Sequence, residues 1–267
     1  MVRTHAALLL GLIASVACSG GGGDPPRDIG APTPLGQGLR IRAVSNPDAD
    51  TKAANNTVVS VSGASIVHVD NYDETGDGKS RGTIYIQDLD SQSLPDKDRA
   101  YSGISLFSPT FVPSDLKVAP GDVLDFNGPY QENASIGTAV FPTGQLLVQL
   151  ARPVGTFRFE ARPLAPTVID VNDLLDYKKG RRWVGMLVQV KDVEMLGEPF
   201  ASKGRLTNVI AGDANDRNAP VVSNELMPLT AATIPLGRKF KTLTGICTYF
   251  FNLKIAPRSP EDLVPAP

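Results

Sequence analysis

The segment G-T-I-Y-I-Q-D, residues 82–88, has a counterpart in G-R-L-T-N-V-I, residues 204–210. Each opens on a glycine and continues as a short run with β-branched or aromatic residues, the mark of a strand leaving a turn. In each case this strand is the second of five. The first set starts with V-V-S-V-S-G-A-S-I-V-H-V from Val58. After residues 82–88 it continues with S-G-I-S-L-F from Ser102, P-G-D-V-L-D-F-N-G from Pro120 and Q-L-L-V-Q-L from Gln145. The second set starts with W-V-G-M-L-V-Q-V-K-D-V from Trp183. After residues 204–210 it continues with P-V-V-S-N from Pro220, L-G-R-K-F-K-T-L-T-G from Leu236 and L-K-I-A-P from Leu253. Gly82 corresponds to Gly204 and Gly128 to Gly245. The same five segments in the same order read as a duplication rather than as one large sandwich.

Composition points the same way. The chain holds 25 glycines and 22 prolines between short apolar runs, and almost no stretch keeps a helical apolar period for three turns. Glycines at bends let a strand curl and serve two parts of a barrel. The expectation is an all-β chain of two tandem five-stranded OB-type barrels, residues 39–163 and 164–267. Between them D-V-N-D-L-L-D-Y from Asp170 places Val171, Leu174 and Leu175 at helical spacing behind an aspartate cap, a short connecting helix. Ser259-Pro260-Glu261-Asp262 reads as a single helical turn.

The N-terminus concerns location. Arg3 precedes an apolar run over residues 6–17, and small residues lead to Cys18, the layout of a secretion signal. It resembles a bacterial lipoprotein signal over residues 1–17, which implies acyl chains on Cys18 and a membrane attachment through them. Ser15 stands where that family usually has leucine, and Ser15-Val16-Ala17 also suits an ordinary signal peptidase. Ser19 after the cysteine implies the outer membrane in a Gram-negative host. Residues 18–38 are rich in glycine and proline and form a tether, reaching roughly 25 Å if it behaves as a flexible coil.

The I-Y-I-Q-D strand, the P-G-D-V strand start and the closing L-K-I-A-P-R-S-P-E-D resemble OB-fold modules of bacterial envelope lipoproteins and of secreted nucleases, where such modules accompany a separate catalytic domain. The resemblance implies a fold and leaves the ligand open among glycans, single-stranded nucleic acid and proteins.

Chemistry is sparse. A formal charge of −2 argues against duplex DNA as a partner, because phosphate binding normally needs a basic surface. Cys247 lies in a strand-like run and reads as a core residue; a catalytic role would need His68. The loop from Asp73 to Ser80 lacks the first glycine of a phosphate loop and precedes a strand, not a helix. Asp70, Asp73 and Asp77 offer hard oxygen ligands and make a weak calcium candidate, without the order of an EF-hand. The candidate ligand-binding residues are Tyr85, Gln87, Phe107 and Arg81, because strands two and three form the face that OB barrels use for stacking. Alternation puts Ile84 and Ile86 inside and Tyr85 and Gln87 outside. The expected function is a non-enzymatic binding or interaction module of the cell envelope. The competing expectations are a carboxylate-based hydrolase and an accessory oligonucleotide- or oligosaccharide-binding protein.

Overall fold

The computed structural model describes residues 33–267 apart from Thr75, Arg81, Lys203 and Gly204. The signal, Cys18, most of the tether and the candidate Arg81 therefore lie outside the described residues. The chain is mainly β, in two successive sheets.

The first unit opens with a helix that was not expected, α1 (Ile41–Ser45), whose Ile41 and Val44 are fully buried. A five-residue helix is too short to hold itself together. The Asp88 carboxylate secures it, accepting hydrogen bonds from the backbone N–H of Ile41 at 2.7 Å and of Arg42 at 3.2 Å. The strands follow as β1 (Val58–Val69), β2 (Ile84–Asp88), β3 (Gly103–Phe107), β4 (Thr110–Val112), β5 (Asp122–Asn133), β6 (Ser135–Ile136), β7 (Ala139–Val140), β8 (Leu147–Ala151) and β9 (Val154–Glu160). Five of them close a barrel in the order β1, β2, β3, β8, β5 and back to β1, with β3 and β8 parallel and the other ladders antiparallel.

Closure depends on β1. It pairs with β5 from Val58 to Ser65, with a register shift between Val61 and Ala64, and with β2 from Ala64 to Val69. Gly63 sits in that shift with φ of +70°, where a Cβ would lie 2.5 Å from Arg40 Nη1. Only glycine takes that conformation without strain. Inside the barrel, Val61, Ile66, Ile84, Ile86, Ile104, Leu106, Leu124 and Phe126 form one core.

The second unit carries β10 (Thr167–Val168), α2 (Tyr177–Gly180), β11 (Leu187–Glu194), β12 (Phe200–Ser202), β13 (Arg205–Val209), β14 (Val221–Ser223), β15 (Lys239–Phe250), β16 (Asn252–Ala256) and β17 (Leu263–Pro265). The expected connecting helix is divided. Residues Val171–Leu175 form a 3₁₀ turn capped by Asp170, and α2 begins anew behind Asp176, whose carboxylate accepts from the N–H of Lys179 at 3.0 Å. Two caps six residues apart each stop a turn and start another.

The sheet runs β10, β11, β15, β16, β14, β13, β12, with β14 and β16 parallel. From β11 to β13 this repeats the order of the first unit, but no ladder joins β11 to β13 among the described residues. The counterpart of β1 is interrupted by Met195-Leu196-Gly197-Glu198-Pro199. The gap is bridged by one backbone bond, Leu196 N–H to Val209 O at 2.9 Å, and by the buried Asn208 side chain. Asn208 accepts from Gly197 N–H and donates to the carbonyls of Gly197 and Ile234 at 2.8 and 2.7 Å.

The two units pack backbone to backbone. A Cβ on Gly103 would stand 2.6 Å from the Gly185 carbonyl carbon. Tyr101 N–H donates to Arg182 O at 2.7 Å. Val67 joins Leu164, Leu187, Leu226, Ile246 and Ala256 in one buried cluster, against which Tyr85 and Leu89 pack.

Candidate functional site: an aromatic groove on the second unit

The contact between the units determines which surfaces remain open. Alternation in β2 is as expected, with Ile84 and Ile86 in the barrel core and Tyr85 outside it. The outside is not solvent, however. Gln87 is completely buried, donating from Nε2 to Ser91 Oγ at 3.2 Å and accepting from Leu187 N–H of the second unit at 3.1 Å. Tyr85 packs against the shared cluster and lines a cavity of about 140 Å³ between the units. The expectation of a solvent-facing surface at Tyr85 and Gln87 is corrected by this packing: the second unit covers it. Phe107, at the end of β3, is half exposed and lines neither of the two cavities described here.

Charged groups enter the lining of the cavity between the units. Arg205 pairs with Glu74 of the first unit, and Lys254 Nζ meets Glu225 Oε1 at 2.5 Å. Thr248 Oγ1 donates to the other Glu225 oxygen at 2.6 Å. Burial alone would raise the Glu225 carboxyl, but Lys254 and Arg205, with these hydrogen bonds, outweigh it and hold the group below its ordinary range. Burial, and then the neighbouring Glu225, push the Tyr85 hydroxyl well above the phenol value. Burial likewise drives the Cys247 thiol upward, away from the thiolate that a nucleophile requires.

The larger opening is a groove of about 960 Å³ on the second sheet, in the size range of ligand sites. Thr207, Val221 and Asn252 line it from β13, β14 and β16, and Phe200, Phe250 and Phe251 supply aromatic rings. Phe200 is 48% exposed and Phe251 38%. Phe251 is the single residue between β15 and β16 and has φ of +66°, a left-handed conformation that a bulky side chain rarely takes. Edge contacts hold its ring in place: Phe250 at 5.1 Å and Phe141, from the first unit, at 5.3 Å between centroids. Arg205 and Lys254 both reach this groove and lie 5.5 and 5.7 Å from the Phe250 ring. The ring thus sits beside two cations, each already bound to a glutamate.

This site was missed in the sequence because the run T-Y-F-F-N was absorbed into the strand around Cys247. Three adjacent aromatics followed by asparagine break the period of two, and that break is the available signal.

Asp70, Asp73 and Asp77 do not converge. Asp70 Oδ1 accepts from Tyr72 N–H, Asp73 from the N–H groups of Asp77 and Gly78, and Asp77 from that of Lys79. No group of three or more His, Cys, Asp or Glu side chains that could hold a metal ion is found among the described residues. No family model matches the chain, and no curated protein matches it significantly.

Proposed function

We propose that the protein is a non-enzymatic binding module of the cell envelope, made of two OB-type units and carrying its ligand seat on the second. In this reading the second sheet is a barrel like the first, its seam bridged by Asn208 in place of a ladder. The observation that supports the function is the groove with exposed Phe200 and Phe251 on the strand-two and strand-three face. Stacking of rings on such side chains contributes roughly 1 to 3 kcal/mol each. The first unit buttresses that seat, since Glu74 holds Arg205 and Phe141 packs on Phe251.

Acyl chains on Cys18 would keep the module at a membrane, the outer one in a Gram-negative host. Cys18→Ser is expected to release the protein to the soluble fraction or leave it as an unprocessed precursor, as read by fractionation. A processed, detergent-requiring Cys18→Ser protein would refute the anchor. The binding role is tested on arrays of oligosaccharides and single-stranded oligonucleotides, where whatever ligand scores should lose about 5- to 150-fold in affinity with Phe251→Ala.

A further inference from the structure

We infer that the groove takes an uncharged, hydroxyl-rich oligomer, a neutral oligosaccharide, and discriminates against polyanions; this rests on the groove being the ligand seat proposed above. A surface that tracks a phosphate backbone needs cations free to replace counterions, and this term dominates nucleic-acid affinity. Among the described residues, three basic groups line the groove, Arg205, Arg217 and Lys254. Two of them are already committed, Arg205 to Glu74 and Lys254 to Glu225, whose side chains are 4% and 11% exposed. Moving either cation onto a phosphate would take a salt bridge away from a buried carboxylate, a heavy cost in a low-dielectric site. Asp77 and Asp216 also line the groove and would repel an anionic chain. Its cations therefore do not form a phosphate track.

What the groove does offer suits a sugar. Phe200 and Phe251 expose apolar rings whose electron-rich faces attract the C–H face of a pyranose. The same groove is lined by hydrogen-bonding groups of both kinds, Thr207, Asn215, Asp216 and Arg217, matched to hydroxyls that both donate and accept. A volume of about 960 Å³ suits several rings better than one. Phe251 is held in a rare backbone conformation by aromatic contacts, so its ring needs little further ordering when a ligand arrives.

Calorimetry on the full-length protein in a sugar-free detergent tests this with four probes. They are the β-1,4-linked hexasaccharides of glucose and of N-acetylglucosamine, the oligonucleotide dT12 and a sulfated heparin-type hexasaccharide. At least one neutral hexasaccharide should bind, with affinity changing less than about 2-fold between 50 and 500 mM NaCl, where phosphate-led binding would fall by orders of magnitude. Phe251→Ala and Phe200→Ala should each weaken it by about 10-fold or more while melting close to the wild type. Tighter binding of dT12 or the sulfated sugar, steeply salt-dependent and weakened by the same variants, would overturn the ligand class and leave the groove standing. Failure of both neutral sugars to bind at millimolar concentration would also overturn the class. Binding that neither variant alters would overturn the groove itself.

Discussion

The two sheets share a strand order and differ at one seam. In the first unit a continuous β1 turns at Gly63 and closes the barrel by pairing with both β5 and β2. In the second the corresponding chain breaks at residues 195–199, and Asn208 bridges what a ladder would have joined. Pro199 has no N–H to offer a ladder and forms part of that break. The difference extends to the surface. The closed unit has its strand-two face covered by its neighbour, whereas the interrupted unit keeps the corresponding face open as an aromatic groove. On the proposed function, the first unit is the support and the second carries the ligand seat.

If the backbone contact at Gly103 and Gly185 makes the units one cooperative body, damage in the first must be felt in the second. Ile86→Ala empties part of the first core and should cost about 2 to 5 kcal/mol. The chain has one tryptophan, Trp183, buried in the core of the second unit, so its fluorescence reports chiefly on that core. Its melting midpoint should fall together with the far-ultraviolet circular dichroism of the whole chain. A Trp183 transition left in place would separate the units thermodynamically.

The seam itself is the next largest effect. Asn208→Ala removes the bonds to Gly197 and Ile234 and leaves the buried Ile234 carbonyl and the half-buried Gly197 carbonyl without that donor, a loss of about 3 kcal/mol in denaturant unfolding. A loss below about 1 kcal/mol would mean that the gap needs no bridge.

A smaller effect separates the units by pH. His68, on β1, has its pKa lowered to about 4 by burial first and by Arg258 of the second unit next, with Asp262 opposing. The folded state then holds fewer protons than the unfolded chain between about pH 4 and 6.5, so His68 costs stability as pH falls through that window. Screening at a partly exposed site limits this to about 2 kcal/mol. Asp88 acts oppositely: burial raises its carboxyl to about 6, so its share of stability is present at acid pH and lost as pH rises from about 4 to 6. The comparison is therefore between wild type and His68→Gln, with the wild type losing up to about 2 kcal/mol relative to the variant as pH falls from 7 to 4; a constant difference over that range would remove His68 as the cause.

Much of this fold was legible in the sequence. All ten repeated segments overlap strands, because period-two alternation and glycine turns are local signals. What escaped depends on distant residues. The short α1 exists because Asp88, far along the chain, secures its first turn. The break at residues 195–199 is tolerated because Asn208 bridges it, and no local pattern announces that. The outer face of β2 was harder to read for the same reason: alternation correctly turned Tyr85 and Gln87 out of their barrel, but only tertiary packing decides whether outside means water or another unit.

The central claim is that the ligand sits on the second unit's groove and not on the first unit's strand-two face. It is tested most directly by measuring the affinities of Phe251→Ala and Tyr85→Ala side by side for the same array-identified ligand. The account gives a loss of about 10-fold or more for Phe251→Ala and less than about 2-fold for Tyr85→Ala in protein that remains folded. Loss of binding with Tyr85→Ala, while Phe251→Ala binds like the wild type, would contradict it.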